Sequence, residues 1–114
     1  MDLEKAIQEA QKAVAIVQER YSDKNVRGCL FGSQVDGTAR PDSDVDLLLL
    51  IEEVPLQGLN GIAIEVERDY REAGGNCDLH VTAVLKSEWD DVNHAPNTFW
   101  REFLHNVQSN LVEL

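Results

Sequence analysis

Two short motifs, separated by ten residues, are the positions in this chain best suited to chemistry. Gly32-Ser33 follows one apolar run, and Asp44-Val45-Asp46 opens another. Backbone N–H groups at a turn after a strand have no internal partners, so a phosphate fits there, and Gly32 has no Cβ to block its approach. Two carboxylates can hold the divalent cation that accompanies nucleotide phosphates. Together the motifs predict phosphoryl or nucleotidyl transfer.

The two aspartates stand at the head of a predicted central strand that runs from Val45 to Ile51. Side chains two residues apart on a strand share a face, with Cα atoms roughly 7 Å from each other, so Asp44 and Asp46 should project side by side. Carboxylates this close repel each other unless a cation lies between them. Hard oxygen ligands on a rigid strand suit Mg²⁺.

A third carboxylate, Asp78, lies near the start of another strand-like run, from Cys77 to Val84. If this strand lies beside the Asp44 strand, Asp78 completes a three-carboxylate site that can hold two metal ions about 4 Å apart. Otherwise Asp78 is a polar residue at a strand edge. His80 shares a face with Asp78 and either reaches the pocket or serves as a hydrogen-bonded structural residue.

The elements that must position these residues follow from hydrophobic periodicity. Apolar residues at steps of three and four predict a first helix with the stripe Leu3, Ile7, Ala10, Val14, Val17 and Tyr21. A second helix carries Leu59, Ile62, Ala63, Val66 and Tyr70 and is closed by Gly74-Gly75-Asn76.

The remaining segments complete a predicted α/β (α+β) fold. Arg27 to Phe31 forms a strand that stops at Gly32, and Ser33 to Asp36 makes one helical turn. A short turn over 87–91 precedes a last helix with the apolar face Phe99, Trp100, Phe103 and Val107. Trp89, Phe99 and Trp100 either cover one end of the core or form an exposed docking patch. We predict a single domain over residues 1–114, with a small mixed β-sheet flanked by helices and the acidic site at one strand edge.

These motifs resemble the minimal nucleotidyltransferases of the DNA polymerase beta superfamily. The resemblance rests on Leu30-Phe31-Gly32-Ser33, on the stretch from Gly37 to Leu47, and on Asp78, and the spacing matches without insertion. It implies a palm-like fold in which Gly32 and Ser33 hold the nucleotide phosphates. It also implies that Asp44, Asp46 and Asp78 bind Mg²⁺, and that Asp78 favours deprotonation of the accepting hydroxyl.

One departure from the family pattern leaves activity open. The family commonly has Gly-Ser-Arg-Ala-Arg-Gly, whereas this chain has Gln34 and Asp36 at the two arginine positions. Two cations are lost and an anion is gained beside the predicted phosphate site. Phosphate binding would then depend on backbone N–H groups, on the metal and on Arg40.

Net charge narrows the class of partner. With 21 acidic and 10 basic side chains the chain carries −11, which argues against direct binding of nucleic acid and favours a basic partner. Small members of the family resemble the antitoxin half of bacterial toxin–antitoxin pairs. That resemblance implies transfer of AMP from ATP to a tyrosine of a HEPN-type RNase toxin. The alternative is a catalytically weak or inactive acidic antitoxin that masks a basic toxin. Small-molecule modification ranks third, because those relatives carry a further domain.

The two cysteines and the N-terminal sequence indicate the cellular compartment in which we expect the protein. Cys29 and Cys77 lie in predicted strands, and no apolar signal segment or membrane-spanning run is present, so we expect reduced thiols in a cytoplasmic protein. The sequence leaves a disulfide and the oligomeric state open.

Overall fold

The structure is a computed structural model, and it describes residues 2–22, 25–32, 35 and 44–114. The elements in chain order are helix α1 (Leu3–Arg20), strands β1 (Arg27–Phe31) and β2 (Val45–Ile51), helix α2 (Gly58–Glu72), strand β3 (Leu79–Leu85), helix α3 (Lys86–Asp90), a 3₁₀ helix (Val92–His94), helix α4 (Thr98–Ser109) and strand β4 (Val112–Glu113). The predicted turn over 33–36 and the loop over 37–43 lie outside the described residues, apart from Val35.

The four strands form one mixed sheet in the order β3-β2-β1-β4. Strand β2 pairs with β3 in parallel and with β1 in antiparallel orientation, and β4 pairs antiparallel with β1. The predicted fold class, a small mixed sheet flanked by helices, is therefore confirmed. The two-residue strand β4 was not predicted, because so short a segment carries no periodic pattern.

Strand β2 is buried on both faces of the sheet, which explains its nearly continuous apolar sequence. Its odd-numbered residues, from Val45 to Ile51, pack in one core cluster with α1 and α2. Leu48 and Leu50 pack in a second cluster with α4 and the segment before it. The aspartates at the start of β2 lie on this second face, where the apolar packing ends.

The buried face of α1 matches the predicted stripe except at Leu3, since Ile7 and Tyr21 also pack against the first core cluster, and it includes further residues. The residues that the sheet and α2 bury on it are Ala6, Glu9, Ala10, Ala13, Val14 and Val17. Leu3 is 39% exposed, because it lies in the first turn before the buried stretch begins at Ala6. Three alanines on one face let the helix backbone approach its neighbours closely, and they bring a charged residue, Glu9, into the core.

Helix α4 departs from its predicted apolar face only at Phe99, since Trp100 and Phe103 pack against the second core cluster and Val107 is buried. Phe99 is 77% exposed, whereas Leu104 and Val107 are buried. At 3.6 residues per turn Phe99 lies about 140° around the helix from Leu104, so both cannot face the sheet. Trp100 and Trp89 pack against the second core cluster, which leaves Phe99 as the exposed member of the three aromatic residues considered for docking.

Among the helices of the described segments, none has both the length and the apolar character needed to cross a bilayer.

Candidate functional site

Three strand ends meet at the candidate site. Strand β1 ends at Phe31 opposite Asp46 of β2, and Asp46 in turn lies opposite His80 of β3. The backbone N–H of Val45 donates a hydrogen bond of 2.9 Å to the carbonyl of Asp78, which sets Asp78 level with Asp44. The predicted adjacency of the two acidic strands is thus present, and it could not be derived from spacing alone.

Register places the acidic side chains on one face of the sheet. Residues that pair across neighbouring strands project to the same side, so Asp46 and His80 share a face. Asp44 and Asp78 lie two residues earlier, just before the first paired residues, and the same alternation puts them on that face. His80 Nε2 lies 2.9 Å from Asp44 Oδ2. His80 therefore lies beside the acidic residues, and its contact with Asp44 is compatible with both interpretations of its position.

Gly32 and Asp46 are in close contact across the β1–β2 pair. Gly32 has φ of +82°, a left-handed conformation that favours glycine, and a Cβ built on it would overlap Asp46 Oδ2. The carbonyl of Gly32 accepts a 3.0 Å hydrogen bond from the N–H of Val35, which turns the chain away from β1. The glycine therefore leaves room for the Asp46 carboxylate.

The charge state of Asp46 reflects both burial and its neighbours. Burial raises the pKa of this carboxyl group, the charge of His80 opposes the rise, and the charge of Asp44 adds to it. Asp46 is only partly exposed, whereas Asp78 is exposed. A cation at this position would relieve the cost of holding Asp46 charged beside Asp44.

A buried network holds the loop that leads into β3. Tyr70 of α2 donates its hydroxyl proton to Glu9 Oε1 at 2.6 Å, and the N–H of Asn76 donates to the same oxygen at 3.1 Å. The thiol of Cys77 lies 3.1 Å from the Tyr70 oxygen and, because the hydroxyl proton is engaged, donates to it. Gly75 packs so closely on the Tyr70 ring that any Cβ there would overlap it.

This network restrains the position of Asp78, and its central residue, Glu9, was not predicted from the sequence. Asn76 and Cys77 immediately precede Asp78, so their hydrogen bonds restrain the start of β3. Glu9 lies three residues from Ala6 and four from Ala13, on the same helix face, which is the signal that would have identified it. The Cys77 thiol is free and half-buried, and that of Cys29 is free and buried.

An open polar groove of about 810 Å³ lies between the acidic residues at the start of β3 and the C-terminal half of α2. Asp44, Asp78 and His80 line one end of it, and Glu67 and Arg71 of α2 line its side. Glu67 Oε1 accepts a 2.9 Å hydrogen bond from the N–H of Val81, which satisfies an outward-facing donor of the edge strand.

The predicted site residues are brought together in part. Gly32, Asp44, Asp46 and Asp78 converge at the strand ends, whereas Ser33 lies outside the described residues, as do Gln34, Asp36 and Arg40. No three His, Cys, Asp or Glu side chains within the described segments already form a group that could hold a metal ion. The carboxylates lie on one face of the sheet, but the described side chains do not surround a common point where a metal ion would bind.

Comparison with known proteins identifies the family. The sequence model of a nucleotidyltransferase domain matches residues 10–102, a range that begins within α1, ends within α4 and includes Gly32, Asp44, Asp46 and Asp78. The chain belongs to this nucleotidyltransferase family. No curated protein matched the chain at a significant level. The nucleotidyltransferase match agrees with the mixed sheet flanked by helices and with the motif at Gly32 and Asp44.

A substitution at Gly32 tests the close contact between Gly32 and Asp46 in this nucleotidyltransferase domain. We expect Gly32→Ala to lower the free energy of unfolding by about 2–4 kcal/mol, since backbone strain at positive φ adds to the overlap with the carboxylate. Gly58→Ala is the matched control, because Gly58 has φ of +81° and open space around its Cβ direction. Urea denaturation of both variants measures the difference. Equal losses of stability in the two variants would show that the Asp46 carboxylate does not need the space left by the absence of a Cβ at Gly32.

Proposed function

We propose that this domain transfers a nucleoside monophosphate, AMP from Mg·ATP, to a hydroxyl group of a partner protein. The observation that carries the proposal is the convergence of Gly32, Asp44, Asp46 and Asp78 at three adjoining strand ends of a nucleotidyltransferase domain. We assign residues 1–114 to one such domain.

The donor chemistry of these residues fits Mg²⁺. All three acidic side chains offer hard oxygen ligands on one sheet face, and the raised pKa of Asp46 marks a carboxylate that a nearby cation would stabilise in its charged form. Bound Mg²⁺ would neutralise charge on the transferred phosphoryl group. Asp44 and Asp46 would hold it, and Gly32 with Ser33 would let the phosphates approach the backbone. Asp78, as a further ligand, would favour loss of the proton from the accepting hydroxyl oxygen.

The open groove beside β3 supports the proposal that the acceptor is a macromolecule. It is open, is lined by Asp44 and Asp78, and lies beside β3, the outer strand of the sheet in the described part of the chain, so a side chain from another protein can enter it. The chain's net charge of −11 favours a basic partner. We therefore propose a HEPN-type toxin as the partner, a tyrosine as the acceptor, and an antitoxin role in the cytoplasm.

A second candidate is an acidic binding module that masks a basic toxin without catalysis. It is favoured by the absence, among the side chains described, of a preformed group of three metal ligands, and by Gln34 and Asp36 at the arginine positions.

Isotope transfer distinguishes these functions. The protein is incubated with MgCl₂, with ATP labelled at either the α- or the γ-phosphate, and with the product of the neighbouring gene as the candidate partner. We expect label from the α-position alone to appear on the partner, and none with the Asp44→Asn, Asp46→Asn double variant or with EDTA. Label from the γ-position would indicate phosphoryl transfer. Neutralisation of the partner by the double variant, with no label transferred by either protein, would support the binding module.

A further inference from the structure

A second, smaller groove lies on the β1 side of the carboxylates, opposite the groove at the β3 edge. Its volume is about 260 Å³, and the described residues in its walls are Phe31, Gly32, Phe103, Asn106, Val107 and Asn110. Gly32 lines this groove and also contacts Asp46. The groove therefore shares Gly32 with the proposed phosphate site.

Two fixed aromatic rings form its apolar wall. The rings of Phe31 and Phe103 meet edge to face, with centroids 5.8 Å apart and an interplanar angle of 85°. Trp100 stacks on Phe103 at 5.1 Å and 20°, which holds the Phe103 ring in place from the side of the core. Both phenylalanines are only partly buried, so the groove presents aromatic surface to a flat ligand.

Two amides stand at the rim of the groove. Asn106 and Asn110 are four residues apart at the end of α4 and are exposed. Within the described residues, no hydrogen bond engages either side-chain amide. A side-chain amide presents an NH₂ donor beside a carbonyl acceptor, the pattern that matches N7 and the N6 amino group of adenine. Guanine offers two acceptors at this edge and pairs best with Arg or Lys, and neither type is found among the groove residues that the structure describes.

We propose that this groove binds the adenine base of the nucleotide whose phosphates lie at Gly32. The inference rests on the proposed function and names the base that the same site selects. In-line displacement places the attacking hydroxyl and the departing pyrophosphate on opposite sides of the α-phosphorus. Strands β1 and β3 flank β2, so a base held on the β1 side leaves the groove at Asp78 free for the acceptor.

Calorimetric binding of three magnesium complexes tests the inference. The unmodified protein should bind Mg·ATP at least roughly tenfold more tightly than Mg·tripolyphosphate, which lacks the base, and more tightly than Mg·GTP. Phe103→Leu keeps an apolar side chain but removes the ring, and it should weaken Mg·ATP binding roughly tenfold. Asn106→Ala changes an exposed side chain and should weaken it roughly fivefold. Neither variant should alter the binding of tripolyphosphate.

His105→Ala is the matched control, because His105 is exposed on the same helix and does not line the groove. It should bind all three complexes as the unmodified protein does. Equal affinity for Mg·ATP and Mg·tripolyphosphate, or for Mg·ATP and Mg·GTP, would overturn the adenine site while leaving nucleotidyl transfer intact. Failure of all three complexes to bind would overturn the proposed function and this inference with it.

Discussion

Replacing Asp46 with asparagine should slow nucleotidyl transfer at least about a thousandfold and leave the folded protein as stable as before, or more stable. The rate falls because a lost metal ligand removes several kcal/mol of charge stabilisation in the transition state. Stability does not fall, because burial raises the pKa of Asp46. A raised pKa in the folded state means that the charged carboxylate is less stable there than in the unfolded chain. At neutral pH this difference lowers the stability of the folded protein, and replacing Asp46 with asparagine removes it.

Two measurements on the same variant separate these effects. Transfer of α-labelled phosphate gives the rate, and urea denaturation at pH 7 in EDTA gives the free energy of unfolding. Glu102→Gln is the control, since it removes one negative charge from an exposed position on α4 and should change neither quantity. A loss of more than about 1 kcal/mol in Asp46→Asn would indicate that the carboxylate has a structural role.

Most of the fold follows from local pattern, because its central elements carry strong periodic signals. The apolar run from Val45 to Ile51 gave the bounds of β2 directly. The helix over 58–72 agreed with the predicted apolar stripe, including Leu59, which is half-buried and packs against the first core cluster. The pairing of β3 with β2 is a tertiary contact, so the sequence supported it only through the family resemblance. That pairing is what sets Asp78 level with Asp44.

The groove beside Gly32 was not predicted, because its walls come from distant parts of the chain. Phe31 ends β1 and Phe103 lies in α4, and no spacing rule relates them. Helical periodicity in the sequence assigned Phe103 only to the apolar face of the last helix. The structure shows that one partly buried ring both packs on Trp100 and lines a groove.

Glu9 was missed for a related reason. Hydrophobic periodicity gives weight to large apolar side chains, and it assigns a lone glutamate to the solvent face. The burial of Glu9 depends on donors that lie more than sixty residues away, at Tyr70 and Asn76, and on Lys12 one turn along α1. A buried carboxylate is stable only where such donors surround it.

Glu9→Gln should therefore lower the free energy of unfolding by about 3 kcal/mol at pH 7. Burial alone would raise the pKa of Glu9, but hydrogen bonds from Lys12, Tyr70 and the N–H of Asn76 outweigh it and bring the pKa to about 2, from an ordinary value of 4.5. Because the folded pKa is depressed, the stabilisation is complete above about pH 4.5 and is lost as the pH falls toward 2. The stability difference between the two proteins should shrink over that same range.

Urea denaturation of both proteins between pH 7 and pH 3 measures this difference. Glu19→Gln, at an exposed position of the same helix, should follow the unmodified protein throughout. Amide exchange at Asn76 adds a local test, since the N–H that donates to Glu9 should exchange faster in Glu9→Gln. A pH-independent difference, with Asn76 still protected, would mean that packing holds the loop before Asp78. The charged hydrogen bonds of Glu9 would then not be what positions the third carboxylate.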